Sequence, residues 1–203
     1  MKEELDYIGD IAEIRSMMER SSKFLSLSGW AGILVGIYAL AGAYIAHAIF
    51  NFNPDEVAYS ISPTGLRKII FLGLILFVLA ISTAVSLSYK SAGKRGEKLW
   101  TPTSKLLALN MAVPLITGGI LILILAANGL SGLIAPFSLL FYGLALFNAS
   151  KFTYNAVMVL GLAEIALGLL SSYLIEYGLL FWALGFGIAH IIYGIYVYYK
   201  YER

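Results

Sequence analysis

Glu164 and His190 are the two side chains of this sequence whose type and position best suit proton chemistry. Each lies deep inside an apolar stretch: Glu164 follows Tyr154 by ten residues, and His190 precedes Lys200 by ten residues. At 1.5 Å per helical residue, we expect both to lie about 15 Å from the polar end of their helices, near the middle of a hydrocarbon layer ~30 Å thick. A carboxylate at that depth costs about 2.5–3.5 kcal/mol on insertion scales, so we expect Glu164 to face the interior of a helix bundle.

Glycines at helix-contact spacing predict how these two helices meet. Four of them flank the acid and the imidazole at the same offsets, i−3 and i+4: Gly161, Gly168, Gly187 and Gly194. In an antiparallel pair of helices, the residue numbers of facing positions add up to a constant. The sums are nearly equal for residues 161 and 194, 164 and 190, and 168 and 187. We therefore expect the two small-residue grooves to close on each other, with the acid opposite the imidazole.

The Glu164–His190 pair has a functional and a structural interpretation. An ion pair, or a neutral carboxylic acid bonded to a neutral imidazole, would hold an exchangeable proton within reach of physiological pH. The functional interpretation is a proton relay or a binding point for a cation or polar solute. The structural one is an interhelical clamp, worth only ~0.6 kcal/mol on average in membrane helices. Because that gain barely offsets the insertion cost, both interpretations stay open.

The composition indicates the environment in which these helices lie. The chain has 203 residues, of which 60% are hydrophobic and 13% charged, whereas a soluble domain carries about 25% charged residues. We therefore predict an all-α integral membrane protein with six transmembrane helices in residues 28–203. The predicted spans are 29–50, 67–89, 106–127, 132–148, 154–172 and 179–199.

Residues 1–27 form a separate region, in which 4–25 are predicted to be a cytoplasmic amphipathic helix. Apolar residues such as Leu5, Ile8 and Ile11 recur at three- and four-residue steps, with acidic and basic residues between them. This helix either docks a partner protein or the membrane surface, or folds under its own bundle. The acidic residues do not suit a secretory signal, so we expect the first span to stay in the mature protein.

The basic residues predict the orientation of the bundle. Of the 14 lysines and arginines, only Arg67 and Lys68 fall on one side of the six predicted spans. The positive-inside rule then places both termini in the cytoplasm, as in a multi-pass protein of the bacterial inner (plasma) membrane. Its first partner is the lipid bilayer, and self-association into a homo-oligomer stays open.

Other features of the spans are interpreted as packing or shape. Gly32 and Gly36 form a Gly-x-x-x-Gly helix-contact motif in the first span. Pro114 frees the carbonyl of Asn110 and predicts a kink in the third span.

The sequence lacks the residues that most other kinds of catalytic or binding site require. The chain has no cysteine, and no phosphate loop or nucleophile–base set is present. His47 is predicted at the outer headgroups, about 10 Å in depth from Glu164, so we expect no metal site and no cofactor. A net charge of +2 does not indicate a nucleic-acid partner. We expect no enzymatic activity.

Both ends of the chain resemble small multi-span bacterial membrane proteins of uncharacterised function. The resemblance covers residues 14–22 (IRSMMERSS), 24–29 (FLSLSG), 181–185 (FWALG) and 200–203 (KYER). Residues 32–37 (GILVGI) are also similar to a pattern of HdeD-type acid-stress membrane proteins, which have six spans. The first resemblance implies a membrane protein without an assigned activity, and the second implies six spans.

Two functional hypotheses result from these observations. The first is a non-enzymatic inner-membrane protein that presents residues 4–25 to a cytoplasmic partner and responds to stress or lipid state. The alternative is a small transporter or proton-coupled permease that uses Glu164 and His190, with Pro114 as the moving part.

Overall fold

The computed structural model describes residues 28–94 and 100–203, which are 86% helical and contain no strand. The amphipathic helix predicted at 4–25 lies outside these residues. Six helices of the described part are long and apolar enough to cross a membrane. This confirms the prediction of six long apolar helices and no strand for the described residues.

The six helices are numbered in chain order. They are α1 (Gly29–Ile49), α2 (Pro63–Lys94), α3 (Pro102–Ala127), α4 (Ser131–Phe152), α5 (Asn155–Tyr173) and α6 (Ile175–Glu202). One end of the bundle, called the loop end, contains the connections 50–62 and 128–130 and residue 174. Residues 28 and 203 lie at the opposite end, called the termini end.

The helices α2 and α3 are longer than the predicted spans 67–89 and 106–127. Each begins with a proline, which is tolerated in a first helical turn because its missing N–H would have no partner there. In α3 the preceding Thr101 caps the helix: its hydroxyl accepts from the Ser104 amide at 3.1 Å, and the Ser104 hydroxyl accepts from the Thr101 amide at 2.8 Å. The helix then continues through Pro114, where the kink stays a prediction.

Neighbouring helices set the layout of the bundle. Helix α1 packs between α2 and α6, and α5 packs between α4 and α6, while α3 lies against α4. At the termini end the Gly29 amide donates to the Glu202 carboxylate at 2.6 Å. At the loop end the Gly132 amide donates to the Val57 carbonyl at 3.2 Å, so connection 50–62 reaches across to the start of α4.

The glycine grooves close on different partners from those predicted. A Cβ at Gly161 would lie 2.8 Å from the Gly143 carbonyl oxygen, and one at Gly168 would lie 2.9 Å from the Leu140 amide, both on α4. A Cβ at Gly194 would lie 2.6 Å from the Ile33 amide nitrogen on α1. The prediction that the glycines of α5 face those of α6 is therefore wrong. The constant sum of residue numbers holds for any antiparallel pair of helices, so it does not show which neighbouring helix a glycine contacts.

The glycines of α1 form the other side of the contact with α6. A Cβ at Gly32 would lie 3.0 Å from the Gly194 Cα, and one at Gly36 would lie 2.6 Å from the Gly187 carbonyl oxygen. Glycine on both sides lets the two backbones approach this closely. Two tight helix pairs, α1 with α6 and α4 with α5, therefore hold the bundle together.

Large apolar side chains are exposed along α2 and α3. They include Phe71, Leu74, Phe77, Val113, Ile116 and Ile120. An exposed apolar surface of this extent is expected where lipid, and not water, surrounds a helix.

Candidate functional site

Three side chains from three helices meet in the middle of the bundle. Glu164 of α5 is 0% exposed and His190 of α6 is 3% exposed. The Nδ1 atom of His190 lies 3.3 Å from Oε1 of Glu164. The Nε2 atom of His190 lies 2.8 Å from the hydroxyl of Tyr142, which comes from α4. Acid, imidazole and phenol thus form one continuous chain of polar groups.

The neighbours of the imidazole indicate which nitrogen carries its proton. Nδ1 faces two acceptors, the Glu164 carboxylate and the Gly185 carbonyl oxygen at 3.1 Å. A nitrogen between two acceptors is best placed as the donor, so we assign the neutral tautomer with hydrogen on Nδ1. Nε2 then accepts a hydrogen bond from the Tyr142 hydroxyl.

Gly185 makes room for the acid inside the bundle. A Cβ at this position would collide with Oε2 of Glu164 and would lie 2.6 Å from Cδ2 of Leu139. Helix α6 takes a π-helical form over Ala183–Ala189, immediately before His190. Single π turns widen a helix and often occur at functional sites. Here the π turn carries both Gly185 and the carbonyl that orients His190.

Aromatic rings line the other side of the imidazole. The ring of Phe186 stacks on His190 with centroids 6.0 Å apart, and its centroid lies 4.9 Å from that of Tyr142. Trp182 packs against Phe186 at 5.0 Å. These rings give His190 an apolar wall, so its polar contacts are those with Glu164, Gly185 and Tyr142.

The carboxylate of Glu164 is held without a hydrogen bond. Among residues 28–94 and 100–203, neither Oε1 nor Oε2 has a hydrogen-bond partner. The contact with His190 is within ion-pair distance but is not aligned as a hydrogen bond. A buried carboxylate in this state is strongly destabilised unless it takes up a proton or another cation.

The geometry can hold one additional proton. With Glu164 ionised and His190 neutral, the buried pair carries one net negative charge. Adding a proton gives either a carboxylic acid beside a neutral imidazole or a carboxylate beside an imidazolium, and both states have no net charge. An acid and an imidazole in contact are groups between which a proton can be exchanged.

Two residues of the site, Tyr142 and Gly185, were not identified from the sequence. Tyrosines of membrane proteins concentrate at the interfaces, so a tyrosine near the middle of the fourth span was an available signal. Gly185 precedes His190 by five residues, outside the three- and four-residue offsets of ordinary helix packing. Only a π turn makes that spacing meaningful.

His47 lies apart from this site. It occupies the π-helical turn Ile45–Ile49 at the loop end and is hydrogen-bonded through Nδ1 to the side chain of Asn53. In the part of the chain that the structure describes, no three histidine, cysteine or acidic side chains are grouped as metal ligands.

No protein-family model matches the chain, and neither a curated protein nor a solved structure matches it. The resemblances to bacterial membrane proteins therefore stay predictions.

Proposed function

We propose that this chain is a small, non-enzymatic, proton-coupled transporter of the bacterial inner membrane, in which Glu164 and His190 take up and release the proton. The observation that supports this most directly is the burial of Glu164, at 0% exposure and 3.3 Å from His190. An ionisable residue inside a membrane bundle is costly, and such residues commonly belong to proton or ion pathways.

The unpaired oxygens of Glu164 favour a proton site over a structural clamp. A clamp would align its carboxylate with donors, because that alignment supplies its stabilisation. Ser172 of the same helix shows that such alignment is achieved nearby, since its hydroxyl donates to the Gly168 carbonyl at 2.9 Å. No residue of the described part of the chain does this for Glu164.

Proton movement through the site needs only small rearrangements. A proton that arrives on the Glu164 carboxylate makes a neutral acid. When His190 carries its hydrogen on Nε2, Nδ1 accepts the proton of this acid and Nε2 releases its own hydrogen towards the Tyr142 oxygen, which leaves Glu164 ionised and the hydrogen of His190 on Nδ1. The relay therefore alternates between the two tautomers of His190, and the net charge changes only when a proton enters or leaves.

The orientation with both termini in the cytoplasm is part of this proposal. It is supported by the lysines and arginines: among those of the described residues, Arg67 and Lys68 alone belong to the loop end. The loop end then faces away from the cytoplasm.

Replacing His190 by glutamine should lower proton flux into liposomes by roughly tenfold or more, because glutamine cannot alternate between two proton-carrying nitrogens. The flux is measured with a pH-sensitive dye inside liposomes under an imposed pH gradient, with the membrane potential clamped. The matched control is His47→Gln, since His47 is exposed at the loop end and lies outside the site. Equal flux from wild type and His190→Gln would contradict a role for the imidazole.

A second proposed role rests on the amphipathic pattern of residues 4–25, which is that of a helix docking a cytoplasmic partner. Deleting residues 1–25 should remove the proteins that co-purify with the full chain and leave the liposome proton flux unchanged. Co-purification is compared by quantitative mass spectrometry of both forms. Survival of every partner after the deletion would refute the docking role, and loss of flux would refute its independence from the proton site.

A further inference from the structure

We propose that protons reach Glu164 from the loop end along the buried hydroxyls of Ser131 and Ser171, past an apolar plug formed by Leu139. This inference rests on the proposed proton site and adds the end of the bundle from which protons enter it. It is carried by buried hydroxyl groups on the side of Glu164 that faces the loop end, which have no hydrogen-bond partner among the described residues.

Ser171 lies on the same face of α5 as Glu164. The two are seven residues apart, which is two helical turns and about 10.5 Å along the axis. Ser171 is 0% exposed. Among the residues that the structure describes, its hydroxyl oxygen has no hydrogen-bond partner, as is true of both oxygens of Glu164.

Other serines of the same helices do not leave their hydroxyls unpaired. Ser138 donates to the Ala135 carbonyl at 2.7 Å, Ser150 to the Phe147 carbonyl at 2.7 Å, and Ser172 to the Gly168 carbonyl at 2.9 Å. Bonding to the carbonyl one turn back is the usual solution for a serine in an apolar helix. Ser171 therefore departs from the behaviour of its immediate neighbour, although it is the more deeply buried of the two.

Ser131 extends this line to the loop end. It begins α4, is 0% exposed, and also has no hydrogen-bond partner for its hydroxyl among the described residues. Ala135 lies one turn further along α4. It borders Gly178, as Ser171 does, since a Cβ at Gly178 would lie 3.7 Å from Ala135 Cβ and 3.6 Å from Ser171 Oγ. The two serines thus lie on facing helices, with Ser131 about one helical turn closer to the loop end than Ser171.

Leu139 separates the serines from the acid. It is 0% exposed and follows Ala135 by one turn on the face of α4 that also carries Tyr142. Its Cδ2 and the Glu164 carboxylate both border Gly185. In the proposed route, displacement of this side chain lets water bind between the hydroxyls and the acid, since buried polar groups without partners are sites at which water is bound inside proteins.

The connection 50–62 covers the outer end of the line. Its Val57 carbonyl accepts from the Gly132 amide, next to Ser131 in the chain. Asp55 and Glu56 of the same connection are exposed. Exposed carboxylates beside an entry attract cations, so they suit the mouth of a proton pathway.

Because the chain contains no cysteine, a single introduced thiol tests the access route without background. Ser171→Cys should react with a charged, membrane-impermeant thiosulfonate reagent that is added from the loop-end side only. Asp55→Cys identifies that side, and Leu169→Cys, which is exposed on the outer surface of α5, is the negative control. Absence of reaction at position 171, or reaction from the termini side only, would overturn the route.

Proton flux provides the second test. Ser171→Ala should lower the flux about fivefold, as expected for the loss of one hydrogen bond to a migrating proton, whereas Ser172→Ala should not change it. Flux that requires Glu164 and is unaffected by Ser171→Ala would refute the route and leave the proton site standing. Flux that is insensitive to Glu164 would instead refute the proposed function itself.

Discussion

Replacing Glu164 by glutamine should abolish proton flux while leaving the bundle at least as stable as the wild type. Glutamine keeps the size of the side chain but neither binds nor releases a proton at neutral pH. The carboxylate has no hydrogen bond to lose among the described residues. Removing a charge that costs about 2.5–3.5 kcal/mol to insert, against an average hydrogen-bond gain of ~0.6 kcal/mol, predicts a net stabilisation of about 2–3 kcal/mol.

The measurement pairs the liposome flux with the thermal midpoint of the purified protein in detergent. Glu176→Gln is the matched control, because Glu176 lies exposed at the loop end. It should leave both quantities unchanged. A fall in the thermal midpoint of Glu164→Gln, with flux preserved, would identify the acid as a structural clamp and end the case for a proton pathway.

The meeting of Glu164 and His190 was predictable from the sequence because helical rise is nearly constant. Counting from Tyr154 and Lys200 gives Glu164 and His190 the same depth, and the structure places the two side chains in contact. Six spans were predictable for a similar reason, since length and hydropathy together specify a crossing helix. In both cases the properties of a single helix are sufficient.

The choice of neighbours was not predictable in this way. Gly161 satisfies the spacing needed to face α6, yet it packs on Gly143 of α4. A glycine specifies that some backbone approaches closely, but it does not specify which one. The same ambiguity hid Tyr142, which reaches from α4 to His190 of α6.

The contact between the acid and the imidazole therefore has a different origin from the one predicted. Gly161 and Gly168 of α5 face α4, and Gly187 and Gly194 of α6 face α1, so none of these four glycines forms the contact. The residue that admits the carboxylate of Glu164 is Gly185, in a π turn whose position the sequence pattern did not reveal. The site is thus formed where the two tight helix pairs meet.

Adding one methyl group at Gly185 should displace the carboxylate of Glu164 and thereby lower both stability and proton flux. In Gly185→Ala the new Cβ collides with Oε2 of Glu164 and lies 2.6 Å from Leu139 Cδ2. Both side chains are fully buried, so moving either of them to admit the methyl group disturbs the neighbours that pack against it. Overpacking of this kind costs about 1–3 kcal/mol, which exceeds the roughly 0.5–1 kcal/mol that alanine gains over glycine in a helix.

Gly119→Ala separates the effect of packing from the greater helix propensity of alanine. Gly119 lies within α3 with no atom within 4 Å of the position of its Cβ, so the same substitution there should raise the thermal midpoint and leave flux unchanged. Opposite signs at the two glycines are expected, because only Gly185 adjoins the acid. If Gly185→Ala is as stable and as active as wild type, then the acid does not depend on that space, and the geometry assigned to the proton site is incorrect.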